Sequence, residues 1–498
     1  MDATASGGGD GASWTNAFTA IQSAVDAASS GDEIWVADGV YTSLTEPVVA
    51  MKQGVALYGG FAGGETDRSQ QDWTNHVSAI DGQTERRCVT GATGARLDGF
   101  TVRNGNAADN GGGMSNTGVS VTVANCTFSS NTAVVDGGGM YISGGSPAVS
   151  GCTFANNTAS HSGGGMLGIN AVNASVKDCT FSGNNGAGDD GGGLAFDYSS
   201  ASVTNCTFSN NVSAGYSGGL DFDYSTLTVS LCTFTGNTTG YRGGALETRN
   251  GSGTVSQCGF SSNSVSKLSD SQAGSGGAIA MRDCTSLVID QCQFNANTTI
   301  AGCTSSSSDV SYCGGAIFSQ GGAPQISRCG FTSNSAGEYG GAVAGSGSSP
   351  KVANCTFWKN STLEYGGAIG FFDGYPSVVN CTVYQNAASA NNGDFQGQGG
   401  GIMDYSRGFT VTNCIVRDNA TAPTGDSVSD EQIHQAASTI VGPISVAYSC
   451  VQGGYAGTGN IDVDPQFIWA GGGEFSLQST SPCINAGDNT KVAGTLDF

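Results

Sequence analysis

Four carboxylates and two guanidinium groups stand out, because several are spaced by the same interval. Asp197 and Asp223 are 26 residues apart, and so are Asp221 and Glu247; Arg249 follows Asp223 by 26, and Arg282 lies beyond it. If that interval is one turn of a repeating structure, Asp197 stacks about 5 Å from Asp223, and Asp221 about 5 Å from Glu247. Two carboxylates so close cannot both ionise freely, and the raised pKa of one is what a general acid needs. Carboxyl pairs roughly 5–9 Å apart are also the requirement for glycoside hydrolysis. Arg249 and Arg282 would neutralise the carboxylate of an acidic sugar, and Tyr198 and Tyr224 offer sugar-stacking surface. The competing reading is an ordinary solvated ladder in which the arginines relieve acidic repulsion. Scarce histidine, with only His76, His161 and His434 present, weakens a β-elimination mechanism.

The interval is real. A phrase of about two dozen residues recurs eleven times, clearest at 216–237, YSGGLDFDYSTLTVSLCTFTGN. It carries a Gly-Gly pair, an apolar residue (Met114, Met140, Met166, Leu194 and onward to Ile402), a Val or Ile three before a Cys, then Cys-x-Phe and an Asn. A fixed period of this kind means a solenoid or an array. At 26 or 27 residues the unit is too short for two helices with turns, and patterns such as Leu220-x-Phe222 and Cys232-x-Phe234 alternate as strands do. Three short strands per copy, joined by tight corners, make one coil of a parallel β-helix. Stacking then brings like residues over like: Cys and Phe columns inside, an Asn column bonded along a corner, and glycines supplying positive φ before the apolar residue.

The expected fold is therefore all-β, a single right-handed parallel β-helix with an N-terminal capping helix. Residues 14–29 carry the helical stripe Phe18, Ile21, Val25 and Ala28, with Ser13 or Thr15 as N-cap. The expected organisation is a cap over 1–30, first irregular coils over 31–110, eleven regular repeats over 111–420, and degenerate coils with a closing segment over 421–498. A net charge of -23, from 17 basic and 40 acidic residues, argues against nucleic acid or an anionic membrane as partner. No apolar run is long enough to span a bilayer as a helix. No charged-then-apolar leader opens the chain, so Met1 reads as an expression start before a mature segment, and the ending at Leu496-Asp497-Phe498 reads as a cut within a longer protein.

Of the 17 cysteines, eleven belong to the inward column and read as buried, inert thiols. Their spacing is wrong for zinc, so no metal or cofactor is predicted; Ca²⁺ is possible but no motif indicates it. Cys303 and Cys313 lie outside the column, in the longest insertion, and are expected to form a disulfide. From each Asn to the next apolar residue the gap is nine or ten in seven copies, but 16 from Asn263 to Ile279, 20 from Asn297 to Ile317 and 16 from Asn386 to Ile402. The three insertions share one corner and border the face carrying Phe318, Phe372 and Tyr405, which marks that face as a candidate binding side. Harmless surface slack is the alternative.

The opening GDEIWVADGVY resembles the first coil of right-handed β-helix proteins of the pectin-lyase-like superfamily, and GGALE, GGAIA, GGAIF, GGAVA and GGAIG with FSSN, FSNN, FTGN and FTSN resemble the repeats of chlamydial polymorphic outer-membrane proteins. The resemblance covers roughly residues 30–420. It implies a bacterial protein that is extracellular or on the cell surface, and carries over no catalytic set. Two functions follow as expectations. One is a non-enzymatic, monomeric rigid binding or adhesion module for a glycan or a host-surface protein. The other is a lyase or glycoside hydrolase acting on an acidic polysaccharide through Asp197, Asp221, Asp223 and Glu247, with Arg249, Arg282, Tyr198, Tyr224, Phe318, Phe372 and Tyr405 binding substrate.

Overall fold

The computed structural model describes residues 1–266, 274–299, 314–389, 397–421, 432–436 and 442–491. These fall into two compact units, Met1–Thr238 and Thr239–Phe498. In each, the chain winds through parallel strands whose neighbours in space are one repeat apart in sequence. Three walls recur per coil: a first at the Gly-Gly-apolar strand (Met114–Thr117), a second at the Val strand (Thr122–Ala124) and a third at Cys-x-Phe (Thr127–Ser129). Among the described residues the second wall has eight rungs in the first unit and seven in the second. A fourth, two-residue ladder follows the Asn, as at Thr132–Ala133 pairing with Thr158–Ala159. The alternation pattern misses it because two residues are too few to show a period.

Registers are regular, so side chains of one kind form columns. Phe128, Phe154, Phe181, Phe208 and Phe234 stack with ring centroids 4.7–4.9 Å apart, and Phe260, Phe294, Phe331 and Phe357 do the same at 4.8 Å in the second unit. The column cysteines are buried, each thiol turned to the carbonyl two residues before it, as Cys126 to Ala124 at 3.1 Å.

The Asn column is the polar spine. In the first unit each Asn Nδ2 donates to the next Asn Oδ1 at 2.9 Å, from Asn131 through Asn157, Asn184 and Asn211 to Asn237. It also donates to a backbone carbonyl one coil back, and each Oδ1 accepts a second bond from a backbone N–H. All five are fully buried. Full pairing is what makes burial of the amides tolerable. The second unit repeats this from Asn263 to Asn419, where the row closes on Gln432: Asn419 Nδ2 donates to its Oε1 at 2.8 Å, and Gln432 Nε2 returns a bond to Asn419 O at 3.0 Å.

Corners use the left-handed conformation. The glycine opening each first-wall strand has positive φ as expected (Gly137, +63°), with Ser217 in that position once at +44°. The corner before each Cys is also left-handed, usually on Asn, Asp or Gln (Asn125, Asn205, Gln257), residues that tolerate this region. One glycine is required for a different reason. A Cβ on Gly139 would sit 2.4 Å from the Gly165 carbonyl oxygen of the next coil.

The helix covers only Ile21–Ala27, shorter than the 14–29 expected, and its N-cap is Ala20 rather than Ser13 or Thr15. Residues 1–18 instead form an arm held by its own backbone bonds, Asp2 N–H to Phe18 O and Gly11 N–H to Asn16 O. Ser13 is used within that arm, its Oγ accepting from Asn16 N–H. The helix buries Ile21, Ala24 and Val25, and the chain's amino group donates to Trp35 O.

Candidate functional site

The first coils hold a cleft that the repeat phrase does not encode. Between the strands Ala56–Phe61 and Ser78–Asp81, residues 62–77 leave the wall as an insertion. Its turn at Arg68–Gln70 is fixed by Asp67 and Gln70 in reciprocal capping bonds. Gly60, at φ +92°, lets the insertion lie against the wall, since a Cβ there would meet Trp73 N at 2.6 Å. The result is a cleft of ≈ 830 Å³ lined by Trp35, Tyr58 and Trp73 with Arg68, Arg96, Asp67, Asp98 and Gln71. Arg68 lies 4.9 Å over the Tyr58 ring and donates to Tyr58 Oη at 2.7 Å and Glu33 Oε1 at 3.3 Å. Arg96 is held on Asp98 Oδ2 by Nε at 2.9 Å and Nη2 at 2.5 Å. Both cleft arginines are therefore paired with carboxylates, while Trp73 keeps 41% of its surface exposed. Aromatic walls with a few fixed polar groups are the chemistry of a small polar-ligand site. The available signal was two of five tryptophans and two arginines within an irregular stretch.

The acidic strip of the first unit is brought together as the period predicts: Asp197 pairs in register with Asp223, and Ala195 with Asp221. Its environment differs from the expectation. Asp221 and Asp223, expected on the open outer face, are 0% and 4% exposed. The corner segment before the glycines folds across that face, with Asp190 bridging Tyr216 and Tyr216 N–H bonding Asp189 O at 2.6 Å. Asp190 thereby joins Asp221 and Asp223, one carboxylate oxygen of each lying within 4.8 Å of the others. Such a set has the chemistry to hold a hard cation such as Ca²⁺. Asp190 was missed; the Asp189-Asp190 doublet before the glycines was its signal. Tyr198 and Tyr224 are exposed at left-handed corners and stack at 5.0 Å.

In the second unit Arg282 Nε donates to Glu247 Oε1 at 3.1 Å, with Glu247 1% exposed, and Arg249 pairs in register with Arg282. Glu247 is thus another acid expected outside and found buried. Phe318 is 2% exposed beneath Tyr339 and Arg242, so it is packed rather than presented to a ligand. Phe372 and Tyr405 are half-buried and stack at 5.0 Å. Tyr339 meets Phe372 edge-on at 4.1 Å and stacks on Tyr365 at 4.9 Å. Beside these rings lie Glu338 and Glu364, one coil apart, with Tyr365 N–H bonded to Glu338 O at 2.9 Å. Burial, then the like charge of Glu364, pushes the Glu338 carboxyl up to about 7, and burial raises Glu364. This pair also went unread, although Glu-Tyr-Gly-Gly recurs in two successive copies, at 338–341 and 364–367. Cys303 and Cys313, and most of the three insertions, lie outside the described residues.

Parallel strands stacked in register, with corner-bound clusters of aromatic and acidic side chains, define a β-helix solenoid. A family model described as a right-handed β-helix region matches residues 110–294, 168–357 and 272–439, together two thirds of the chain, and the protein belongs to that family. No curated protein matches the chain. Among the described residues no helix is long and apolar enough to cross a membrane.

Proposed function

We propose that the chain is a secreted or cell-surface binding module that holds a neutral glycan. The cleft of Trp35, Tyr58 and Trp73 carries this reading: indole and phenol rings stack on sugar faces, while Asp67, Gln71, Asp98 and the two arginines supply oriented hydrogen bonds. The ligand is neutral for an electrostatic reason. Both cleft arginines already face carboxylates, and a net charge of -23 repels a polyanion. The resemblance of the repeats to chlamydial surface proteins supports an extracellular or surface location.

A second reading rests on Glu338. A carboxyl that is still half protonated near neutral pH beside a second carboxyl is equipped as a general acid, which moves the hydrolase reading from the acidic strip to Glu338 and Glu364. One experiment separates them. Neutral, acidic and amino-sugar polymers are titrated calorimetrically while new chain ends are counted. Binding of a neutral polymer without cleavage, lost in Trp73→Ala, supports the module. Cleavage abolished by Glu338→Gln would replace it with the enzyme, and exclusive binding of acidic polymers would refute the neutral-glycan assignment.

A further inference from the structure

The closing segment of the second unit folds back onto the third wall. Its antiparallel pair, Phe467–Trp469 with Glu474–Leu477, brings Phe467 and Phe475 against Tyr384 at 5.5 and 5.6 Å. Farther on, Asn413 Nδ2 donates to Asp488 O at 3.1 Å and its Oδ1 accepts from Asp488 N–H at 2.8 Å. Between wall and strap runs a cleft of ≈ 710 Å³, and Cys450 and Cys483 both line it.

The two cysteines arrive from different directions. Cys450 closes the third-wall ladder, pairing with Ile415, and its Sγ donates to Val463 O at 3.1 Å. Two residues on, Pro465 O accepts from the Ser481 hydroxyl at 2.6 Å, and that hydroxyl accepts from Cys483 N–H at 3.2 Å. This short chain of bonds brings Cys483 to the edge of the last coil where Cys450 sits, near enough for each sulfur to shift the other's titration. The column cysteines are also near one another, and Cys329, Cys355, Cys381 and Cys414 line the same cleft, but each of their thiols is held on the carbonyl two residues before it. Cys483 alone among the described cysteines is not buried.

We propose that Cys450 and Cys483 are a disulfide site that clasps the closing segment to the last coil. The thiol chemistry suits it. The nearby Cys483 sulfur pulls the Cys450 thiol down to about 6 against its burial, with Arg417 adding positive charge, while the same proximity raises Cys483. The oxidant is a small disulfide of the glutathione class, admitted by the cleft. Cys483, the sulfur open to the cleft, loses its proton to water and attacks one sulfur of the oxidant, forming a mixed disulfide and expelling one thiolate. That thiolate takes the proton from Cys450, whose sulfur then displaces the second thiolate from Cys483. Two protein thiols are oxidised and one disulfide is reduced to two thiols.

The test uses the whole chain and oxidised glutathione. Trypsin should release residues 418–491 as one peptide whose only cysteines are these two. Native protein exposed to oxidised glutathione and then to alkylating agent should give this peptide unalkylated and two hydrogens lighter, and reduction should restore two alkylation sites. In Cys450→Ser the peptide should instead carry one glutathione on Cys483. Two alkyl groups on the wild-type peptide after oxidation, or a glutathione adduct that persists on it, would overturn the proposal.

Discussion

Asn184→Ala tests whether the Asn row supports the coils or merely decorates them. Asn184 Oδ1 accepts from Asn157 N–H at 3.0 Å and from Asn157 Nδ2 at 2.9 Å, and its Nδ2 donates to Phe154 O and Asn211 Oδ1, both at 2.9 Å. Alanine removes all four bonds. The buried Asn157 N–H then has no acceptor, at about 1–3 kcal/mol, and the remaining partners each forgo a bond worth about 0.5–1.5 kcal/mol. The expected loss is about 3–5 kcal/mol, larger than most point substitutions produce. Urea denaturation followed by circular dichroism reads the total, and hydrogen exchange of residues 150–160 reads the site, since repeat arrays need not unfold in two states. A loss below about 1 kcal/mol with unchanged protection would refute the account.

Other outcomes follow from the same geometry. Glu338 keeps its proton to about pH 7 when folded but releases it near 4.5 when unfolded, so the folded state binds more protons between these values and stability falls as pH rises through that window. The full shift corresponds to about 3 kcal/mol, reduced to about 1–2 by partial exposure, and Glu338→Gln should remove this slope in urea titrations at pH 5 and 8. Gly139→Ala forces a Cβ onto a fixed carbonyl of the next coil and should yield little folded protein, read by soluble yield and circular dichroism. Trp73→Ala, at a ring already 41% exposed, should change stability by less than about 1 kcal/mol yet weaken glycan binding roughly 30-fold, measured by calorimetry.

Most of the fold was legible because stacking repeats each constraint: eleven copies of Cys and Asn, nine of them with Cys-x-Phe, declare an inward column and a corner row with no tertiary guesswork. What failed was local. The outer face of the first wall reads as solvent-facing by alternation, yet Asp221 and Glu247 are buried, because alternation says which side of a sheet a residue takes and nothing about what later covers that side. The helix came out short because Phe18 fits a helical stripe and Thr15 an N-cap, but the carbonyls of both are used by the N-terminal arm. The cleft at Trp35 and Trp73 escaped notice for the opposite reason. It lies where the phrase lapses, and a stretch without a period carries no column from which a cleft could be read.

The carboxamide row has a direction. In the second unit every Nδ2 points toward the following coil and every Oδ1 toward the preceding one, and Gln432 receives the last donor. A duplicated copy spliced between Asn334 and Asn360 would find an amide hydrogen waiting on one side and an oxygen on the other. A copy appended after Asn419 would displace Gln432 and leave a hydrogen aimed at no acceptor. Length in this lineage should therefore change by whole copies gained or lost internally, with the stretch that carries the terminating glutamine inherited unchanged.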